Sequence, residues 1–147
     1  MNPIASRRVA EVIKLANQIA REYDLEYVGT EHLLLAIQRE GTGNGAAILT
    51  KHGVTTEKLK SLIDQIGKKQ LEETWVFGRL PGTPHYRNVM SHAIEQCQQL
   101  EGTEVRTEHL LLGLLAEEGS VASDTLKQLG LDRTTLRTEV VELSSGS

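Results

Sequence analysis

The sequence predicts an all-α fold: eight helices in two four-helix repeats, related by an approximate twofold and packed as one domain. Three observations predict it. Apolar residues recur at three- and four-residue steps along most of the chain, the period of an amphipathic helix. The string TEHLLL stands at 30–35 and again, letter for letter, at 107–112. At the 77-residue offset from Thr30 to Thr107, Val12 falls on Val89, Ala16 on Ala93, Val28 on Val105, Leu49 on Leu126, Gly53 on Gly130 and Leu59 on Leu136, with no gap. These matches sit at core, cap and stop positions, where one packing scheme used twice needs the same chemistry.

Along the first repeat, Val9, Val12, Ile13, Ala16, Ala20 and Tyr23 mark one face of a helix over 6–23, with Ser6 as its N-cap. Gly29 then breaks the chain. A second helix is expected to start at Thr30, whose hydroxyl can cap the new turn, while Glu31 suits the helix dipole. After the interruption EGTGNG, the segment AAILTKHG reads as a short third helix closed by Gly53. A fourth helix, behind a Thr cap, carries Leu59, Leu62, Ile63 and Ile66 on one face. The second half repeats this order, with Thr83 in the place of Ser6. The expected boundaries are 6–66 for the first repeat, 67–82 for a linker and 83–143 for the second repeat. Stacked solenoids need at least about three repeats, so two copies imply one joint core. Period-two alternation is absent between the helices, except for TWVFG in the linker.

Composition narrows the function classes. A chain of 147 residues can remove about 70% of its unfolded surface from water without disulfides or metal. Aromatics make up only 3%, so the core must be built from Leu, Val, Ile and Ala. A net charge of −4 provides no positive field to gather phosphate backbones, which argues against nucleic acid as a partner. Cys97 is the only cysteine; it excludes an intrachain disulfide and a cysteine-based zinc cage and suits a reducing compartment. No apolar run approaches the roughly 20 residues that span a bilayer, and the first residues lack the apolar centre of a secretory signal. A cytoplasmic location, or its organellar equivalent, and no membrane partner are expected.

The doubled TEHLLL string, in the pattern GTEHLLL…REG with an A…L…GV helix and a T…KL helix after it, resembles the N-terminal domain of the ClpA/ClpC type of AAA+ protein unfoldases. The likeness covers about residues 6–143. It implies an all-helical, eight-helix double repeat upstream of ATPase modules, which receives substrates and adaptor proteins and delivers them to the unfolding ring and its protease. The chain itself has no GxxxxGK(S/T) loop for nucleotide phosphates, and GTGNGAAILTK lacks the required ending. The resemblance therefore implies a binding domain, not an enzyme, with no cofactor. Two contexts fit: the receptor domain of a larger unfoldase, or a stand-alone regulator that occupies a docking surface of the Clp machinery.

The resemblance also implies a site. In ClpC-like relatives the glutamate of each TEH string resembles one that binds phosphorylated arginine, so Glu31 and Glu108 are the candidate ligand-binding carboxylates, with Ser6 and Thr83 at the cap position before each first helix. The chemistry is coherent, because a carboxylate accepts a guanidinium through paired charge-assisted hydrogen bonds and a helix N-terminus offers amides to a phosphoryl group. The same glutamates would complement their helix dipoles in any case. The two copies differ: Arg106 replaces Gly29, and Arg7 and Arg8 follow Ser6 where the family more often has an acidic residue. His32 and His109 lack the i, i+4 spacing of a helical metal pair and are expected to orient or cap locally. Cys97 takes the inward position of Ala20 and reads as a buried small hydrophobe; His85 and His92 are expected in solvent. Trp75 and Phe77, the only Trp and Phe, are expected to fold back over the seam between the repeats.

Overall fold

The first helix of each repeat starts on a hydroxyl. In the computed structural model, which describes residues 4–23, 25, 27–69 and 83–145, Ser6 Oγ accepts the amide of Val9 at 3.1 Å and Thr83 Oγ1 accepts that of Tyr86 at 3.1 Å. These caps open α1 (Arg7–Glu22) and α5 (Pro84–Gln99). The first repeat continues with α2 (Thr30–Glu40), α3 (Asn44–Lys51) and α4 (Thr56–Lys69), and the second with α6 (Thr107–Ala116), α7 (Val121–Gln128) and α8 (Arg133–Ser145). Eight helices among the described residues agree with the predicted class. Gly53 and Gly130, at φ 72° and 86°, follow α3 and α7 as expected. α4 runs on to Lys69, into the span assigned to the linker. TWVFG, with Trp75 and Phe77, lies outside the described residues.

The repeated string divides its work residue by residue. Its leucines fill the core, with Leu33, Leu34, Leu110 and Leu111 fully buried. α2 packs on α1, α3 and α4 and reaches across to α6 and α7, while α6 packs on α5, α7 and α8 and reaches α3. His32 Nδ1 accepts the amide of Gly29 at 2.8 Å, and His109 Nδ1 accepts that of Arg106 at 2.9 Å, so each imidazole caps its own helix. Thr30 departs from expectation. The N-caps of α2 and α6 are Gly29 and Arg106, and neither threonine caps its own first turn. Instead Thr30 Oγ1 accepts the amide of Ala122 at 3.2 Å, and Thr107 Oγ1 accepts that of Gly45 at 2.9 Å. Each buried threonine thus caps the third helix of the other repeat. The glycine-rich turn before α3 permits this approach, since a Cβ on Gly43 would stand 2.5 Å from Thr107 Oγ1.

A second reciprocal pair crosses the same seam. The amide of Ser6 donates to Val105 O at 2.8 Å, and that of Thr83 donates to Val28 O at 3.0 Å. The first contact extends into a two-residue parallel pairing of β1 (Ile4–Ala5) with β2 (Glu104–Val105). The sequence carries no sign of this pairing, because two residues are too short to show alternation and their partner lies in the other repeat.

Replacing Thr107 by the nearly isosteric valine removes the acceptor for the amide of Gly45 while keeping the volume. A loss of about 1–3 kcal/mol of stability is expected for Thr107→Val, with a similar loss for Thr30→Val. Chemical denaturation of both variants checks it, and wild-type midpoints would show that the cross-repeat caps do not stabilise the fold.

Candidate functional site

The start of α1, the turn between α2 and α3 and the β2–α6 junction enclose a cavity of about 750 Å³. Ser6, Arg7, Arg8 and Glu11 form one wall, Glu40, Thr42 and Asn44 a second, and Glu104, Arg106, Thr107 and Glu108 a third. Two of the four predicted site residues, Ser6 and Glu108, therefore meet here although they belong to different repeats. Glu31 and Thr83 do not line this cavity. Thr83 is tied by its amide to Val28, on the strand of chain leading to Glu31.

Glu108 is 2% exposed, and its Oε2 accepts Asn44 Nδ2 at 2.9 Å. Arg106 does not compensate it: its Nε lies 3.6 Å from Glu104 Oε2. Arg8 donates to Thr42 Oγ1 at 3.0 Å and lies 3.6 Å from Glu40 Oε2. Burial pushes the Glu40 carboxyl up, but hydrogen bonds from Thr42 and the charge of Arg8 outweigh it and hold the group below the usual carboxylate range. Ser6 Oγ and the Ser6 amide are both committed to the fold, which leaves the amides of Arg7 and Arg8, at the first two helical positions, as the donors that helix geometry does not use.

The two halves are not equivalent, and Gly29 supplies one reason. A Cβ at Gly29 would stand 1.8 Å from Glu31 Oε1, so Glu31 curls over its helix start only because glycine precedes it. Arg106 carries that Cβ, and Glu108 turns instead to Asn44. Around the second repeat's own first helix, Glu117 Oε2 contacts His85 Nδ1 at 2.6 Å and accepts Asn88 Nδ2 at 2.8 Å, while Oε1 lies 3.2 Å from His92 Nε2. Burial raises the Glu117 carboxyl, yet these three hydrogen bonds bring it below its usual range. His85 and His92 are thus about two-thirds buried partners of a carboxylate, not solvated side chains. The signal was present in the sequence, because His85 and Glu117 stand at the repeat positions of Arg8 and Glu40.

His32 and His109 act as the local caps expected of them. Burial pulls the pKa of His32 down to about 4, and burial with Arg106 lowers that of His109 against the pull of Glu108. The 3.9 Å approach of His32 Nδ1 to Glu31 Oε1 is therefore not an ion pair at neutral pH. Cys97 is fully buried, with Sγ 3.3 Å from Glu104 O, and burial raises its thiol pKa away from nucleophilic use.

The sequence pattern of the Clp repeat (R) N-terminal domain matches residues 5–129 and a second time 82–144. The chain belongs to this family. It is 36% identical over 138 residues to an ATP-dependent Clp protease ATP-binding subunit ClpA homolog of Guillardia theta, covering 94% of this chain but 17% of that protein. Against the chloroplastic chaperone protein ClpC1 of Arabidopsis thaliana it is 33% identical, covering 94% of this chain and 15% of the relative. This Clp N-domain therefore spans only a small part of the curated relatives it matches. Its fold is that of the Hsp104 N-terminal domain from Candida albicans (TM-score 0.69, 18% identity, 98% of this chain and 93% of that one). The N-terminal domain of ClpD from Arabidopsis thaliana is equally similar (TM-score 0.69, 18% identity, 96% and 94% covered). Among the described residues, no helix of the Clp N-domain is long and apolar enough to cross a membrane.

Because the folded His32 holds its proton less tightly than its ordinary pKa of 6.5 implies, the unfolded chain binds more protons between pH 6.5 and about 4. Stability is fully present above 6.5 and falls as pH drops through that window, by on the order of 3 kcal/mol from His32 alone. Urea denaturation between pH 7 and 4 is expected to show this slope, and His32→Gln to flatten it; an unchanged slope in the variant assigns the effect elsewhere.

Proposed function

We propose that this Clp N-domain is a non-catalytic recognition module that binds adaptor proteins or marked substrate segments for a Clp-type ATP-dependent unfoldase and protease. One observation carries the reading: Ser6 and Glu108, drawn from different repeats, line a single cavity that holds both signs of charge. The mark that fits this chemistry is a phosphorylated arginine. Its guanidinium group meets Glu108, and its phosphoryl group meets the amides of Arg7 and Arg8 and the side chain of Arg7 at the start of α1. The names of the curated relatives, ATP-binding subunits of a Clp protease, support the setting.

The pair Thr83 and Glu31 forms the weaker half. Pro84 at the first helical position of α5 has no amide to offer, and His85 stands where the first repeat has Arg8. One dominant site is the consequence.

Calorimetric titration with phosphoarginine is expected to give one dominant saturable site. Glu108→Ala should weaken it by about tenfold or more, the loss of a charge-assisted pair. Glu31→Ala should have a smaller effect, and equal affinities for wild type and the Glu31→Ala, Glu108→Ala double variant would overturn the assignment.

A further inference from the structure

The duplicated architecture provides its own control, and at one core position it fails. Ile19 of α1 is fully buried, and its counterpart in α5 at the same offset is Gln96, which is 8% exposed. A mostly buried amide in place of isoleucine needs either access to water or hydrogen-bond partners. Among the described residues the Gln96 side chain has none, and it lines a cavity of about 200 Å³ between α5, α6 and the start of α8. The other walls are Leu112, Arg133, Thr134 and Arg137.

The charge around this cavity has also diverged. The first repeat places Thr56, Glu57 and Lys60 where the second has Arg133, Thr134 and Arg137, so one balanced pair of charges becomes two guanidinium groups and no acid. Neither arginine makes an ion pair among the described residues. Arg137 donates to the neutral Gln99 Oε1 at 3.1 Å, which leaves its charge uncompensated. The nearest acid in sequence, Asp132, is committed to capping α8: Oδ1 accepts the amide of Thr135 at 2.8 Å and Oδ2 its hydroxyl at 3.1 Å.

We propose that this cavity binds a single oxyanion, a carboxylate or phosphoryl group, through Gln96 Nε2, the guanidinium groups of Arg133 and Arg137, and the first turn of α8. Guanidinium forks match the paired oxygens of either group. The volume admits one such group and little of its carrier. An acidic or phosphorylated side chain of a bound polypeptide suits it. The cavity shares no residue with the one at the start of α1, so binding here is independent of the phosphoarginine reading.

The test is a pair of NMR titrations at constant ionic strength, one with inorganic phosphate and one with acetate, on three forms of the chain: wild type, Gln96→Ile and the Arg133→Gln, Arg137→Gln double variant. Wild type should show saturable shifts at the Gln96 side-chain amide and at Arg133 and Arg137 in at least one arm, and the tighter arm identifies the group. Gln96→Ile restores the residue of the first repeat and should keep or raise the melting temperature, while binding falls by about tenfold or more. The double variant changes only exposed residues, so the core survives, and it should lose binding equally. Glu108→Ala should leave these shifts unchanged. Absence of saturable shifts in both wild-type arms, or undiminished binding in both variants, overturns the site.

Discussion

The reciprocal contact of Thr30 with Ala122 and Thr107 with Gly45 is the constraint on which the rest of the structure depends. α3 and α7 are eight residues each, well below the about 12–15 at which an isolated helix becomes even marginal in water. Each obtains a first-turn acceptor from the opposite repeat. Neither repeat is complete without the other, which is why two copies form one core and not a chain of separable modules. The same bonds fix the candidate site. Glu108 follows Thr107, and Asn44 precedes Gly45, so the 2.9 Å contact between Glu108 and Asn44 is set by the hydrogen bond beside it.

A duplicated fold keeps its scaffold and varies its surfaces, and the cation–carboxylate pairs illustrate this. Arg8 beside Glu40 in the first repeat becomes His85, with Asn88 and His92, around Glu117 in the second. The position keeps a carboxylate held below its usual pKa in both copies. What changes is the permanence of the positive charge, since arginine is always protonated and histidine is not. Equivalent backbone geometry therefore does not confer equivalent electrostatics. The substitution of Gly29 by Arg106 acts by shape, excluding for Glu108 the conformation that Glu31 adopts.

The parts of this fold legible in the sequence are those whose cause is local. Ser6 and Thr83 cap the helices they begin, the leucines of the repeated string are buried, and Cys97 occupies the inward position of Ala20; each follows from neighbours a turn away. The parts that escaped are contacts between repeats. Nothing near Thr30 in the chain indicates that its hydroxyl serves α7, and nothing near Ile4 points to Glu104. The union of Ser6 with Glu108 was hidden for the same reason. Local periodicity locates a helix but not the element it faces.

Charge balance in the larger cavity supports the proposed ligand of mixed sign. Arg8 is engaged with Glu40, and Arg106 with Glu104. Arg7 and Glu108 lack an ion-pair partner among the described residues, and Glu108 has only the neutral amide of Asn44 and the positive end of α6 to offset its burial. A simple anion could use Arg7 and the helix start but would add negative charge beside a buried carboxylate. A simple cation would satisfy Glu108 while opposing Arg7 and Arg8. Under the proposed function, a group with a guanidinium and a phosphoryl side by side would meet both residues and leave the existing pairs intact.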